Sequence, residues 1–406
     1  MKTRMFFSLL LVTLLVLAGS EAQAQYPAVK KVNCTKGQTI TRALLGCDGI
    51  PMTIQLKGTC NENVEIVRDD VTLIADPSGG TLVPLDPNTS TIAVRGARTV
   101  IDGLTVTGGR NGISVSGSGG ATIRNCTVQN TGRVGIVFYH GGHGLVDNCT
   151  VQNNQYIGIF IEGGSATITN STISSNTGTG IHLHMGGSAK IGITDSTQYA
   201  GNTISNNQSS GIFIAHGSTA DIGGNTIQGN CTDPNSPLGQ AGVFIHNAGA
   251  NLVGNNKITG NGGSGVSANA STVHIGDPVR GLPTTGSFAN VITGNAKGGI
   301  SGFSGASLFI RDATIDGNTG NGVMLNLRST SWMFGNTINN NTGNGIFLAQ
   351  GAALLLQDPA VKVTGNVLFG LQCAGTESSF SGNTSGISGN GSGDPEEQVS
   401  PSCTGF

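Results

Sequence analysis

Short apolar stretches with alternating polar positions recur along the chain, separated by glycine, asparagine and serine. One unit reads Gly112-Ile113-Ser114-Val115, Gly135-Ile136-Val137-Phe138 and Gly158-Ile159-Phe160-Ile161, and returns at Gly180, Gly211, Gly242, Gly265, Gly299, Gly322 and Gly345. The steps 135 − 112, 158 − 135, 322 − 299 and 345 − 322 are each 23 residues. The steps 211 − 180 and 242 − 211 are 31, and 299 − 265 is 34, so these copies carry insertions. A fixed period of this size marks a repeat architecture.

Each unit holds three extended pieces. The Gly-Ile strand is followed by a second strand such as Ala121-Thr122-Ile123 and by a polar corner at Asn125, Asn148, Asn170, Asn255 or Asp312. A third strand such as Thr127-Val128 or Thr150-Val151 comes next, and then a recurrent asparagine at Asn154, Asn176, Asn207, Asn230, Asn261, Asn295, Asn318 and Asn341. Strands this short cannot bury a face against a single partner. Wound as a coil, each pairs with its equivalents above and below at about 4.8 Å. Period-2 alternation then sends Ile113, Val115, Ile136, Phe138, Ile181 and Leu183 inward. Stacked asparagines satisfy backbone groups at the corners. The fold class this predicts is all-β: a right-handed, single-stranded parallel β-helix with three short strands per coil and an N-terminal helical cap. A left-handed helix would show hexapeptide periodicity, and a propeller a longer period with antiparallel blades.

The ends differ from the repeat. Lys2 and Arg4, the apolar run Met5–Ala18 and Ala22-Gln23-Ala24 read as a cleavable signal over residues 1–24. This predicts a secreted or periplasmic protein with no membrane span after cleavage. The solenoid is expected over 25–375, with 25–60 forming the cap and first coil and Gln38–Leu45 a short amphipathic helix. Asn63–Val67 and Val71–Ile74 read as the first coils. Residues 376–406 are rich in serine and glycine and are expected to be a loose tail. Eight cysteines in an exported chain predict disulfides. Cys34–Cys60 and Cys373–Cys403 are candidate pairs, Cys47 and Cys231 are left over, and the sequence leaves the connectivity open. Cys126 and Cys149 lie one coil apart (149 − 126 = 23), which fits either a disulfide or two stacked free thiols.

Composition narrows the function classes. Only 10% of residues are charged and the net charge is −2, so long-range attraction of nucleic acid is not expected. No glycine-rich phosphate motif stands between a strand and a helix. Neither a cofactor nor an oligomeric state can be read from the chain.

The repeated Asn-x-x-x-Gly-Ile-x-Val pattern, together with Gly58-Thr59-Cys60-Asn61-Glu62-Asn63-Val64 and Val71-Thr72-Leu73-Ile74, resembles the right-handed parallel β-helix superfamily of the pectin-lyase type over roughly residues 30–375. The resemblance implies that the Gly-Ile strands form the family's first sheet, where many relatives hold polysaccharide. The active-site signatures of its alginate epimerases, polygalacturonases, pectate lyases and pectin methylesterases are absent from this sequence, so no catalytic set carries over.

Alternation sends Ser114, Val137, Phe160, His182, Phe213, Phe244, Ser267, Ser301, Met324 and Phe347 to the outer face of the first sheet. Beside them runs a second column with Tyr139, Glu162, His184 and His246, and His140, Met185 and His216 stand at the turn. Five of the seven histidines fall in this zone. Aromatic rings beside acid–base groups suit a polysaccharide groove. In this reading His182, His184, His246 and Glu162 carry the chemistry, while Tyr139, His140, Phe160, Phe213, His216 and Phe244 bind substrate. The insertions Gly192–Gly201 and Cys231–Gln240 wall the groove, with Gly276–Asn290 further on. The function expected is binding, and cleavage of a lyase or hydrolase kind, of an extracellular or envelope polysaccharide. The alternatives are a non-enzymatic surface or adhesion solenoid and a periplasmic copper-handling protein with His182, His184 and His246 as ligands.

Overall fold

The computed structural model describes residues 28–46, 50–194, 198–235, 240–276, 285–357, 361–375, 377–391, 398–400 and 402–405. The expected signal region and Cys47 lie outside them. Among the described residues, no helix is long and apolar enough to cross a membrane.

The chain winds as a parallel β-solenoid. Thirteen strands, from Val64–Ile66 to Leu371–Ala374, stack as the first sheet. The second and third strands of the coils run together in a 27-stranded sheet. Register follows the sequence repeat: Ile113 pairs with Ile136 and Ile136 with Ile159, all in parallel. Val128 and Val151 pair likewise in the third stack. The six positions expected inside are all fully buried, within one continuous core of valine, isoleucine and leucine. Full burial of one such side chain is worth about 1.5–3 kcal/mol, repeated at three strands per coil.

Two kinds of asparagine hold the corners. Asn125, Asn148, Asn170 and Asn255 have φ of 50–55°, with Asp312 at 49°, the left-handed conformation that asparagine and aspartate tolerate best. The recurrent asparagine after the third strand is buried and forms an unbroken ladder. From Asn154 through Asn176, Asn207 and onward to Asn366, Asn390 and Gln398, each Nδ2 donates to the next side-chain oxygen at 2.8–3.0 Å. A second buried ladder, not expected from the sequence, runs Asn202–Asn225–Asn256–Asn290.

The repeat glycine has a cause other than a positive φ. A Cβ on Gly135 would meet Val151 Cγ1 at 2.6 Å, Gly158 O at 2.7 Å and Asn154 Nδ2 at 2.8 Å. The asparagine ladder packs against this backbone, and only glycine leaves it room.

Both ends differ from the repeat. The cap is a five-residue helix, Ile40–Leu44, with Ile40 buried. The carboxylate of Glu62 accepts from the Ile40 and Thr41 amides at 2.6 and 3.0 Å, satisfying free donors at the helix start. Pairing begins earlier than Asn63, because Ala28–Asn33 pairs with Met52–Lys57. The tail is not loose in its described part. Ser379–Gly382 pairs with Ala353–Leu356, Ile387 is buried, and Gln398 ends the ladder. Cys34–Cys60 and Cys373–Cys403 are disulfides with Cα–Cα distances of 5.0 and 4.9 Å. Cys126 and Cys149 are free, so the disulfide alternative for this pair is not realised. Each buried thiol instead lies against backbone carbonyls, Cys126 Sγ at 3.1 Å from Arg124 O and Cys149 Sγ at 3.3 Å from Asp147 O.

Candidate functional site

The outer column of the first sheet has the register read from the sequence: Val137–Phe160–His182–Phe213–Phe244 are partners on successive strands. Strand stacking brings their rings together. His182 stacks on Phe213 at 4.6 Å and 22°, and Phe213 on Phe244 at 5.0 Å and 23°, while Phe160 meets His182 at 5.1 Å and 49°. Phe160 and Phe213 are each only 8% exposed and His182 7%. Val134, Val137, Ile157 and Phe160 form a small outer apolar cluster, with Tyr139 and Tyr156 against it.

This arrangement bears on the expected roles of Phe213 and His182. The faces of Phe213 lie against its neighbours in the ladder, so they are closed to sugar stacking. His182 is a rung of the same ladder. Burial above all, helped by the nearby His184 and His216, pushes its pKa down to about 3, and neither ring nitrogen has a hydrogen-bond partner among the described residues. A neutral ring with no proton relay is a stacking element, not an acid–base group at neutral pH.

The rim beside the ladder is more polar. Glu162 Oε1 lies 3.9 Å from His184 Nδ1. The row continues with His216 at 4.6 Å from His184 and His246 at 5.7 Å from His216, ring centre to ring centre. His246 Nε2 is 3.1 Å from Asn247 Nδ2. At the other end His140 stacks on Tyr139 at 5.9 Å. The pKa of His184 is lowered by burial first and by His216 second, against the opposing pull of Glu162. The metal alternative at His182, His184 and His246 is not assembled: among the described residues no three histidine, cysteine or acidic side chains converge as ligands.

The insertions start from different corners of the coil. Gly192–Gly201 lies between the strands Ser188–Ile191 and Thr203–Ser205, and Gly276–Asn290 between Thr272–Ile275 and Val291–Thr293. Both therefore leave the coil at the corner after the second strand. There Ile193 and Val253 are buried with Tyr199 against them, and Tyr199 stacks on Phe288 at 6.1 Å. Cys231–Gln240 does precede a first-sheet strand, Ala241–His246, and Gln240 Oε1 accepts from Lys297.

The concavity lies on the outer face of the second strands, which sequence reasoning passed over. An open groove of about 980 Å³ runs there from His143 to His274, with Thr194 of the first insertion at its side. One outward column is Leu145–Thr167–Lys190–Asp221–Asn251–His274, and the one beside it is His143–Ser165–Ser188–Thr219–Gly249–Thr272. Asp221 Oδ1 accepts from Asn251 Nδ2 at 2.9 Å, and Asp147 Oδ1 from Thr169 Oγ1 at 2.7 Å and Asn170 Nδ2 at 2.8 Å.

At His274 the groove meets a second recess of about 450 Å³ lined by Phe309 and Trp332. Trp332 is 41% exposed, and its Nε1 donates to Gln357 Oε1 at 2.9 Å. Phe309 meets it at 5.0 Å and 85°, and Phe334 at 6.3 Å and 49°, so neither lies flat on the indole. Leu355 follows, half-exposed, on the next strand. A signal for this face existed: the chain's single tryptophan falls at an outward position of a second strand, in the column of Phe309 and Leu355.

Comparison with known proteins identifies the winding. A family model described as "Right handed beta helix region" matches residues 92–275 and 191–390. No curated protein matches the chain. Among solved structures, it is similar to pectate lyase Pel9A, at 13% identity and a TM-score of 0.38 over 71% of this chain and 79% of that one. It is also similar to the periplasmic alginate epimerase AlgG, at 13% identity and 0.41 over 85% and 82%. The A-module of the Azotobacter vinelandii mannuronan C-5 epimerase AlgE6 gives 12% identity and 0.38 over 90% and 91%. At such identities these likenesses assign no role to any residue of this chain.

Proposed function

The chain belongs to the right handed beta helix family, and from that premise we propose that it binds a linear polysaccharide along the outer face of its second strands. The observation that carries this reading is the open groove of about 980 Å³ lined by hydroxyl, amide and charged side chains. Its donors and acceptors repeat at the strand spacing of about 4.8 Å, a ladder parallel to an extended chain of hydroxyl-bearing units. The two disulfides favour action outside the reducing cytosol, in the periplasm or beyond the cell.

The test is retention on immobilised polysaccharides. Wild-type protein is retained on at least one of a panel of glucans, mannans, xylans, galactans, alginate and polygalacturonate. A Ser188→Leu/Thr219→Leu variant, altered at two exposed groove positions, folds as wild type by circular dichroism and loses retention. Equal retention of the variant moves the site elsewhere. No retention of wild-type protein on any chain removes the reading and leaves the surface-solenoid alternative.

A second reading is chemistry at the first-sheet rim. It is favoured by the 3.9 Å approach of Glu162 to His184, with His216 and His246 alongside. A carboxylate beside an imidazole can share acid and base roles. Reducing-end and unsaturated-product assays on the same panel test it. Turnover that disappears in Glu162→Gln and His184→Ala supports this reading, and absence of turnover in the wild type ends it.

A further inference from the structure

We propose that the groove takes an uncharged glycan, and that the ring platform around Trp332 is its anchoring end. This rests on the groove reading above and adds the class of chain and the place where it is held most strongly.

Charge argues for the class. Among the described residues, the groove lining holds Lys190 against the carboxylates of Asp147 and Asp221, two histidines and no arginine. A polyuronate or sulfated chain carries a negative charge on each unit or nearly so. Its desolvation and the two carboxylates oppose binding, and one lysine cannot offset them along the length of the groove. Both carboxylates already accept hydrogen bonds from groove neighbours, Asp221 from Asn251 and Asp147 from Thr169 and Asn170. They are therefore set as fixed acceptors, with capacity left for the hydroxyl groups of a neutral chain.

Geometry argues for the anchor. The second strands from His143–Asp147 to Thr330–Phe334 are joined by seven successive parallel pairings. Seven steps of about 4.8 Å make a straight track of about 34 Å along the axis. The groove and the ring recess share His274, so the track is continuous. Its two ends differ. The stretch from Ser165 to Asn251 offers hydrogen bonds, which exchange with water at little net gain. The Trp332 end offers exposed apolar area: an indole 41% exposed with no ring flat upon it, and Leu355 beside it. The hydrogen bond from Nε1 to Gln357 holds the indole in orientation. The apolar face of a pyranose ring fits such a surface, and an orientation fixed in advance reduces the entropy lost on binding.

The chain holds one tryptophan, so its emission reports this site directly. Neutral oligosaccharides of increasing length (gluco-, manno-, xylo- and galacto-series) and polygalacturonate and alginate oligomers are titrated against intrinsic fluorescence. The expected result is a saturable change with a neutral series, with affinity rising with length and unaffected by salt between about 0.05 and 0.5 M. Trp332→Ala, assayed by retention on the matching polysaccharide, binds about tenfold more weakly, and Trp332→Phe recovers most of the loss. Tighter binding of anionic than neutral chains, or binding lost with salt, overturns the uncharged class. Wild-type retention in Trp332→Ala overturns the anchor while leaving the groove reading intact. Retention of the wild type on nothing in the panel fails the groove reading itself.

Discussion

Two faces of one solenoid carry aromatic side chains, and they use them in opposite ways. On the first sheet, His182, Phe213 and Phe244 lie nearly parallel, at 22° and 23°, each covering its neighbour. On the second strands, Phe309 meets Trp332 at 85°, and the indole stays open to solvent. Strand spacing explains the first case: rings at equivalent positions of successive strands are about 4.8 Å apart, close to stacking distance, so identical rotamers close on one another. In the second case the rings differ in size and the bulky indole tilts away. A row of aromatics is therefore a ligand surface only where the rings fail to satisfy each other.

Stability separates the two faces most strongly. Phe213→Ala opens a gap within the ladder and is expected to destabilise by about 3 kcal/mol, whereas Trp332→Ala, which removes two ring contacts and one exposed hydrogen bond, costs about 1 kcal/mol. Urea unfolding midpoints compare them directly, and equal losses would erase the distinction. Next comes pH. The folded pKa of His182 is depressed to about 3, below its unfolded value near 6.5. The unfolded chain therefore binds the proton first. The stability tied to neutral His182 is complete above pH 6.5 and is lost as pH falls toward 3, by up to about 1.4 kcal/mol per pH unit. His182→Phe keeps the ring, and its unfolding free energy lacks this component of slope in that window. An unchanged slope would mean that the ring is not shielded as the ladder requires.

A smaller effect tests the corner after the second strands. Tyr199→Ala removes the stack on Phe288 and is expected to cost about 1 kcal/mol, with the pH response of His182 unaltered. Loss of that response as well would couple the two faces. The smallest change is local: Glu162→Gln removes the charge that holds the His184 pKa up, so its imidazole titrates at lower pH by NMR. An unchanged titration would show that the 3.9 Å approach carries no charge interaction.

Much of the coil was legible because repetition exposes it. The 23-residue step placed Ile113, Ile136 and Ile159 in one column, and the asparagine corners and ladder followed from their spacing. The outward columns on the first sheet were also read correctly, down to Phe160–His182–Phe213. Their meaning was not. Parity tells which side of a sheet a side chain leaves from, but not whether its neighbours cover it. The second-strand face was missed because its column changes residue type at every coil, from Thr167 to Lys190, Asp221, Asn251, His274, Phe309 and Trp332, so no pattern repeats there.

The sequence by itself determined the winding and the inward residues, because both depend on period and alternation along the chain; it offered Cys34–Cys60 and Cys373–Cys403 as candidates, and the fold made them disulfides. Tertiary structure alone decided that Cys126 and Cys149 remain free thiols, that the Gly192–Gly201 and Gly276–Asn290 insertions leave from the corner after the second strand, and that the groove opens over the second strands. Those outcomes depend on ring angles, on thiol-to-carbonyl contacts and on where loops from different coils meet. Such distances arise between residues far apart in the chain, and the order of residues does not encode them locally.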